Sequence, residues 1–294
     1  MINNDKITDI NGIKFKFEEK LDNFDENKAK KERLMTLVSN LVKDRVIETY
    51  KFNEVKMYYD LDDISLHPNK MHLDNTCYSR VYCSNGALKG ANVLVLLIQG
   101  NGLQPLIWDN DQCINKDFKT GSMIEIIEKL TSNNYEVMCL NPNENTFING
   151  SPNVNCSRES IQIPNHSTPE LHTVTTFKEL ILPSSPRKII IIACDYGASC
   201  VMSVLEALFP QLENKLKGIF LIQSIHSGEE LYGSDFQDWF LMNCVNWVES
   251  NDPECATIES IKLGCPTFSI EKSSNCLISK LVPNILQFIQ SKTN

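Results

Sequence analysis

Two uninterrupted apolar runs sit in the middle of the chain. Ala91 to Ile98 reads A-N-V-L-V-L-L-I and Lys188 to Ala193 reads K-I-I-I-I-A. Their length and β-branched content are those of strands covered on both faces. Shorter runs at Tyr135 to Leu140, Gly218 to Ser224 and Cys265 to Ile270 read the same way, and Glu54 to Tyr59 and Cys77 to Tyr82 add two strands before them. Helical spacing takes over between the strands. Leu34, Leu37, Val38, Leu41 and Val42 predict a helix over Lys30 to Glu48. Further helices are predicted near Ser122 to Asn133, from Thr168 through Ile181, after Gly197 (Val201, Val204, Leu205, Leu208), and over Leu277 to Ile289. Thr168-Pro169 reads as an N-cap followed by proline in the first turn. Ser234 and Gln237 form a capping box for a helix to Val248, with Phe236, Phe240 and Trp247 on its buried face. Phe147 to Pro169, rich in Asn, Ser and Pro, reads as a long surface loop or an ordered lid.

Strands alternating with helices of about 10 to 15 residues specify an α/β domain with a mostly parallel central sheet and helices on both faces. The strands beginning near Val93, Tyr135, Lys188, Gly218 and Cys265 are expected to be parallel neighbours. Residues 1–30 are polar and poorly patterned, although Ile13, Phe15 and Phe17 alternate with lysines as an edge strand would. Residues 31–294 read as one domain, since no linker or repeat divides them.

Composition narrows the function. With 294 residues and 42% hydrophobic content, the chain can bury a large core. A formal charge of −9 argues against a broad electrostatic grip on nucleic acid, and the basic run Lys28 to Arg33 reads as a solvated helix face. The eleven cysteines show no C-x-x-C pair or zinc spacing, so no metal and no disulfide is expected. Without a signal-peptide pattern or an apolar run near ~18 residues, the reading is a reduced, intracellular protein that does not span a membrane.

Chemistry is expected at the carboxyl ends of the parallel strands. The segment Ala193-Cys194-Asp195-Tyr196-Gly197 joins a buried strand to a helix through a tight turn with small residues at its ends. That is the layout of a nucleophile elbow, with Asp195 in the place usually held by serine. Asp195 has two readings. It could be an attacking carboxylate on a small ester, epoxide or halide, as in haloalkane dehalogenases and epoxide hydrolases, whose Asp-aromatic-Gly pattern Asp195-Tyr196-Gly197 resembles. It could instead be an anion capping the following helix. The second is favoured, because no histidine follows His226, and His226 would be an unorthodox base. Gly100, Asn101 and Gly102 would suit an oxyanion-type loop or a plain tight turn. Asn143, Asn145, Gln223 and Ser224 complete the strand-end pocket. His67 and His72 fall in a polar loop, His166 in the lid-like segment and His172 on a helix.

Taken in order, Y-E-V-M-C-L-N-P-N-E-N (Tyr135 to Asn145), S-T-P-E-L-H (Ser167 to His172), A-C-D-Y-G-A, Q-S-I-H (Gln223 to His226) and C-V-N-W-V (Cys244 to Val248) resemble one family. It is the Arb-two-like domain, named for argonaute-binding protein two, and the resemblance runs from about Lys30 to Gln290. It implies an α/β-hydrolase-like fold and links the chain to argonaute complexes, small-RNA-directed heterochromatin and cotranscriptional or splicing regulation. The implied partner is a protein, an argonaute or a chromatin or splicing factor, with small RNA met only indirectly or weakly, no cofactor, and a location in the nucleus, the cytoplasm or both. Relatives typically carry A-H-S-Y-G-G at the elbow, H-G-S-G at the glycine loop and D-S-V-H after the next strand. Here those positions read Cys194-Asp195, Gln99-Gly100-Asn101-Gly102 and Gln223-Ser224-Ile225-His226. The late segment that often bears a histidine reads Ser273-Ser274-Asn275-Cys276. Each departure removes a reactive group, so the resemblance implies a pseudo-hydrolase that serves as an interaction module.

Overall fold

The computed structural model describes residues 2–3, 6–7, 24–60, 76–228, 234–259, 261–272 and 277–294. The edge strand expected at Ile13 to Phe17 and the loop holding His67 and His72 lie outside them.

A short antiparallel pair, β1 (Ile2–Asn3) and β2 (Lys6–Ile7), precedes helix α1 (Phe24–Tyr50) and strands β3 (Asn53–Asp60), β4 (Thr76–Cys83) and β5 (Val93–Ile98). Then come α2 (Asn110–Asn115), α3 (Phe118–Gly121), α4 (Ile124–Ser132), β6 (Glu136–Cys139), β7 (Thr146–Ile148), β8 (Ser151–Asn153) and β9 (Ile161–Gln162). Helix α5 (Pro169–Thr176) runs on through a π turn at Phe177–Ile181 into α6 (Leu182–Ser184). The remainder is β10 (Lys188–Cys194), α7 (Gly197–Leu212), β11 (Leu216–Ile222), α8 (Ser234–Asn243), β12 (Cys244–Ser250), β13 (Thr257–Ile258), β14 (Thr267–Glu271) and α9 (Leu277–Thr293).

Nine strands form one sheet in the order β13-β14-β12-β11-β10-β5-β6-β4-β3. Only β4 and β13 run against the rest: β4 pairs antiparallel with both β3 and β6, whereas β6, β5, β10, β11, β12 and β14 pair in parallel. An eight-strand parallel sheet with its second strand reversed, and with the third and fourth exchanged in space, is the α/β-hydrolase topology. All five strands expected to be parallel are parallel members of it.

The alternation of side chains explains why the central strands read as unbroken apolar runs. Val93, Val95 and Leu97 of β5, with Ile190 and Ile192 of β10, face α1, α4 and α9. Leu94, Leu96 and Ile98, with Ile189, Ile191 and Ala193, face α7 and α8. Both faces are covered, so both sets must be apolar.

One prediction fails at residues 234–250. The helix expected to reach Val248 ends at Asn243, and Cys244–Ser250 is strand β12, inserted between β11 and β14. Phe240 belongs to the helix, but Trp247 is a strand residue stacked on Phe220. The cap expected at Ser234 falls on a side chain outside the described residues. A second correction concerns the segment from Phe147 to Pro169. It is neither a bare loop nor a lid on the elbow. Strands β8, β7 and β9 form their own small sheet, and Phe147 and Ile163 pack against Cys77 of β4. The ten described cysteines are free thiols.

Candidate functional site

Backbone geometry at the end of β10 is that of the elbow. Asp195 has φ +51°, a left-handed conformation that asparagine and aspartate tolerate better than most residues. Its N–H donates to the Ile222 carbonyl (2.8 Å), and its own carbonyl accepts from Ala198 (3.1 Å). Gly197 is obligatory: a Cβ there would lie 2.8 Å from the carbonyl oxygens of Ile98 and Gln99. A Cβ on Gly100 would lie 3.1 Å from the Asp195 side chain, so the glycine loop and the elbow close on each other. The capping role expected for Asp195 is not what its side chain does. The N-cap of α7 is Tyr196, in helical conformation and without a side-chain cap. Tyr196 instead donates its hydroxyl to Glu170 of α5.

The glycine loop is held by Asn143. Its Nδ2 donates to the carbonyls of Gly100 (2.8 Å) and Leu103 (3.1 Å), and its Oδ1 accepts from the Gly102 N–H (3.2 Å). The Gly102 N–H is therefore already used. Gln99 adds to the clamp by donating to Leu103 and Gln104, while Asn101 is exposed. The rest of P-N-E-N is also scaffold. Asn141 donates to Glu144, Glu144 takes two hydrogen bonds from Arg80 (2.8 and 2.6 Å), and Asn145 donates to the carbonyls of Pro142 and His166. This pair, Glu144 buried and Arg80 partly so, borders a polar cavity of about 210 Å³, walled also by Ser151 to Asn153 of β8 and by Ser39 and Lys43 of α1. The segment expected as a lid therefore covers Arg80 and Glu144.

C-V-N-W-V supports the next strand end. The Gln223 N–H donates to Trp247 and the Ser224 N–H to the Asn246 side chain, so Gln223 is also held left-handed, with φ +50°.

The structure does not bring His226 to Asp195. Its Nε2–H donates to the Leu263 carbonyl (2.8 Å), which leaves Nδ1 to accept from the Ser224 hydroxyl. Its ring packs edge-on against Phe240, on the α8 side of the sheet. His166 and His172, which no local sequence signal singled out, are fully buried together and meet Nδ1 to Nδ1 at 2.9 Å. Burial lowers the pKa of His166 to about 4 and, with His166 alongside, holds that of His172 well below the ordinary imidazole value. The segment Ser273 to Cys276 lies outside the described residues.

Beside the elbow lies a cavity of about 410 Å³ on the α9 face of the sheet. Asp195 and Gln223 border it at the strand ends, Cys194, Ile222 and Glu249 along the strands, Trp108, Asp109 and Gln112 at the start of α2, and Leu277 and Ile278 at the start of α9. Among the described residues three carboxylates line it and no lysine or arginine does. Asp109 is already committed: it caps α2 by accepting from the N–H groups of Asp111 and Gln112. Glu249, Trp108 and Gln112 were missed by sequence reasoning. The alternation in C-V-N-W-V-E would have put Glu249 at a strand end had it been read as a strand.

A family model described as the Arb2 domain matches residues 1–254. The chain is 26% identical to the Cotranscriptional regulator ARB2A homolog of Gallus gallus, over 79% of this chain and 68% of that protein. It is 23% identical to Cotranscriptional regulator ARB2A of Homo sapiens, over 71% of this chain and 61% of that one. It thus spans roughly two thirds of the length of these relatives. Among solved structures, a histone deacetylase from Saccharomyces cerevisiae superposes with TM-score 0.51 at 12% identity, covering 88% of this chain and 98% of that one. The histone deacetylase Clr3 superposes with TM-score 0.53 at 11% identity, covering 89% of this chain and 38% of that one. At such identities these two likenesses speak to the fold alone.

Proposed function

The chain belongs to the Arb2 domain family, and on that premise we propose that it is a non-catalytic regulatory protein that uses a hydrolase scaffold as an interaction module. One observation carries the reading: the elbow keeps its backbone geometry around Asp195, yet each described histidine has its ring nitrogens committed elsewhere. An ester formed on Asp195 would have no imidazole to activate the water that releases it. The relatives named as cotranscriptional regulators support the same direction. We place its work in cotranscriptional or splicing regulation or in small-RNA-directed heterochromatin, in the nucleus, the cytoplasm or both. The partner is an argonaute or a chromatin or splicing factor, and the net charge of −9 favours protein contacts over a direct grip on RNA. The test is affinity purification from the native cell followed by mass spectrometry. Enrichment of argonaute, chromatin or splicing proteins is expected, and their absence would overturn the reading.

The left-handed Asp195 facing Gly100 favours one second reading, a hydrolase with an aspartate nucleophile acting on a small ester, epoxide or halide. It requires wild-type turnover of such a substrate that disappears in Asp195→Asn.

A further inference from the structure

We propose that the outer edge of β3 is a homodimer interface, where a second copy of this chain adds its own β3 antiparallel across a two-fold axis at Val55. The edge is the first observation. β3 ends the nine-strand sheet and pairs along all eight of its residues with β4. On its other side every second residue turns an N–H and a C=O outward, and among the described residues no backbone group meets them. The opposite end of the sheet is blunt by comparison, closed by the two residues of β13. A strand of eight residues with one free side is a template for another strand.

The sequence of β3 decides which strand. Its side chains alternate, so Glu54, Lys56 and Tyr58 share the face that carries Arg80 and Tyr78 of β4, while Val55 and Met57 pack on the α7 side. An axis at Val55, perpendicular to the sheet, keeps these faces aligned between the copies. It sets Glu54 of each copy opposite the partner's Lys56, and Val55 opposite the partner's Val55. Glu54 and Lys56 touch each other at 3.6 Å, and Glu54 also meets Arg80, yet they keep 21% and 34% of their side-chain surface exposed. Both therefore reach a neighbouring strand. Moving the axis by one residue either way sets Glu54 against Glu54 or Lys56 against Lys56, and like charges directly opposed are unfavourable. A lysine at a sheet edge ordinarily keeps other strands away. Here a glutamate answers it in one register, which makes the edge selective for its own sequence. Tyr58, a large ring left 65% exposed, lies at the end of the paired stretch and gains cover there.

The inference goes beyond the elbow, since Asp195 takes no part in it. The full wild-type chain is followed by sedimentation velocity from about 5 μM to about 500 μM. One strand of contact is a small interface, so a weak dimer is expected, with a Kd on the order of 10–100 μM. Glu54→Lys alone and Lys56→Glu alone each set like charges together on both sides of the axis, and each should weaken the dimer about tenfold or more. An equimolar mixture of the two variants regains both opposite-charge contacts and should form a heterodimer near wild-type strength. Circular dichroism establishes that each variant is folded. Should one of them fail to fold, Val55→Cys decides, because the axis brings the two introduced sulfurs within reach of each other. With oxidised glutathione the pair of thiols loses two electrons and two protons to form one disulfide, and the glutathione disulfide is reduced to two thiols. Peptide mass spectrometry should find the bridge between the two copies of position 55. Four results would each overturn the inference: a wild type that stays monomeric at about 500 μM, a dimer indifferent to both charge reversals, a mixture no tighter than either variant alone, or a Val55→Cys chain bridged only through its native cysteines.

Discussion

The imidazoles of His166 and His172 face each other Nδ1 to Nδ1 at 2.9 Å in a site closed to solvent. The proton order is fixed from one end. The Asn141 N–H donates to His172 Nε2 (3.1 Å), so His172 carries its proton on Nδ1 and donates to His166, with the Ser79 hydroxyl also within 3.1 Å. His166 is then protonated at Nε2, which donates to the Tyr59 oxygen (2.6 Å), and Tyr59 donates to Glu179 (2.9 Å). Every member is neutral except the terminal carboxylate. A second proton on either ring would set two donors against each other.

That arrangement makes stability depend on pH. The folded His166 pKa is lowered from 6.5 to about 4 by burial, so between those values the unfolded chain binds more protons than the folded one. Stability is complete above pH 6.5 and falls as pH drops toward 4, by roughly 3 kcal/mol for a shift of this size. His172 continues the loss to lower pH. Urea midpoints from pH 7 to 4.5 should fall steeply for the wild type and less steeply for His166→Gln. Parallel slopes would contradict the linkage.

Asn143 accounts for three hydrogen bonds to the Gly100–Leu103 loop. Asn143→Ala leaves those groups to water and should cost about 1–3 kcal/mol. Amide hydrogen exchange gives the sharper readout: the Gly102 N–H should exchange faster, while amides in the middle of β5 change only by the global loss.

Arg80 and Glu144 form a two-bond pair whose carboxylate is buried. Removing only the cation strands a charge, so Arg80→Met should cost about 3–5 kcal/mol. Adding Glu144→Leu removes the stranded charge, and the double variant should lose less than the sum of the single ones. A double-mutant cycle by urea unfolding measures the difference, and strict additivity would show that the two act independently.

The sheet was legible in sequence because β5 and β10 are buried on both faces and must read as unbroken apolar runs. Strand β12 was not, for a local reason. Phe236, Phe240 and Trp247 fall at helical spacings, and no glycine or proline marks the junction of Asn243 and Cys244. Losing β12 as a strand also hid Glu249. The elbow was legible because its signal is contiguous, five residues between a strand and a helix. The histidine network was not, because Tyr59, Ser79, Asn141, His166, His172 and Glu179 come from separate elements and meet only after the sheet has formed. P-N-E-N was visible as a motif, but its work of clamping a loop and burying a carboxylate needed Gly102 and Arg80 in place.

Restoring the elbow serine is the most direct test of what the scaffold has lost. Asp195 sits at φ +51°, and serine is less at ease there than aspartate, so Asp195→Ser should cost on the order of 1 kcal/mol. The fold should survive, because Gly197 and Gly100 still clear the turn. The hydroxyl would then occupy the nucleophile position with no base beside it. His226 spends one nitrogen on Leu263 and the other on Ser224, and its ring lies against Phe240 on the opposite face from the cavity. A serine without a positioned imidazole keeps its proton near neutral pH. Intact mass spectrometry after incubation with a fluorophosphonate should therefore show no adduct on Asp195→Ser, and ester hydrolysis should stay at the buffer rate. A stoichiometric adduct would mean that a base outside the described residues reaches the elbow, and the non-catalytic reading would fall with it. Asp195→Asn provides the matched control. It keeps a residue that tolerates the left-handed turn, and because the carboxylate caps nothing in α7, its stability should stay within about 0.5 kcal/mol of the wild type.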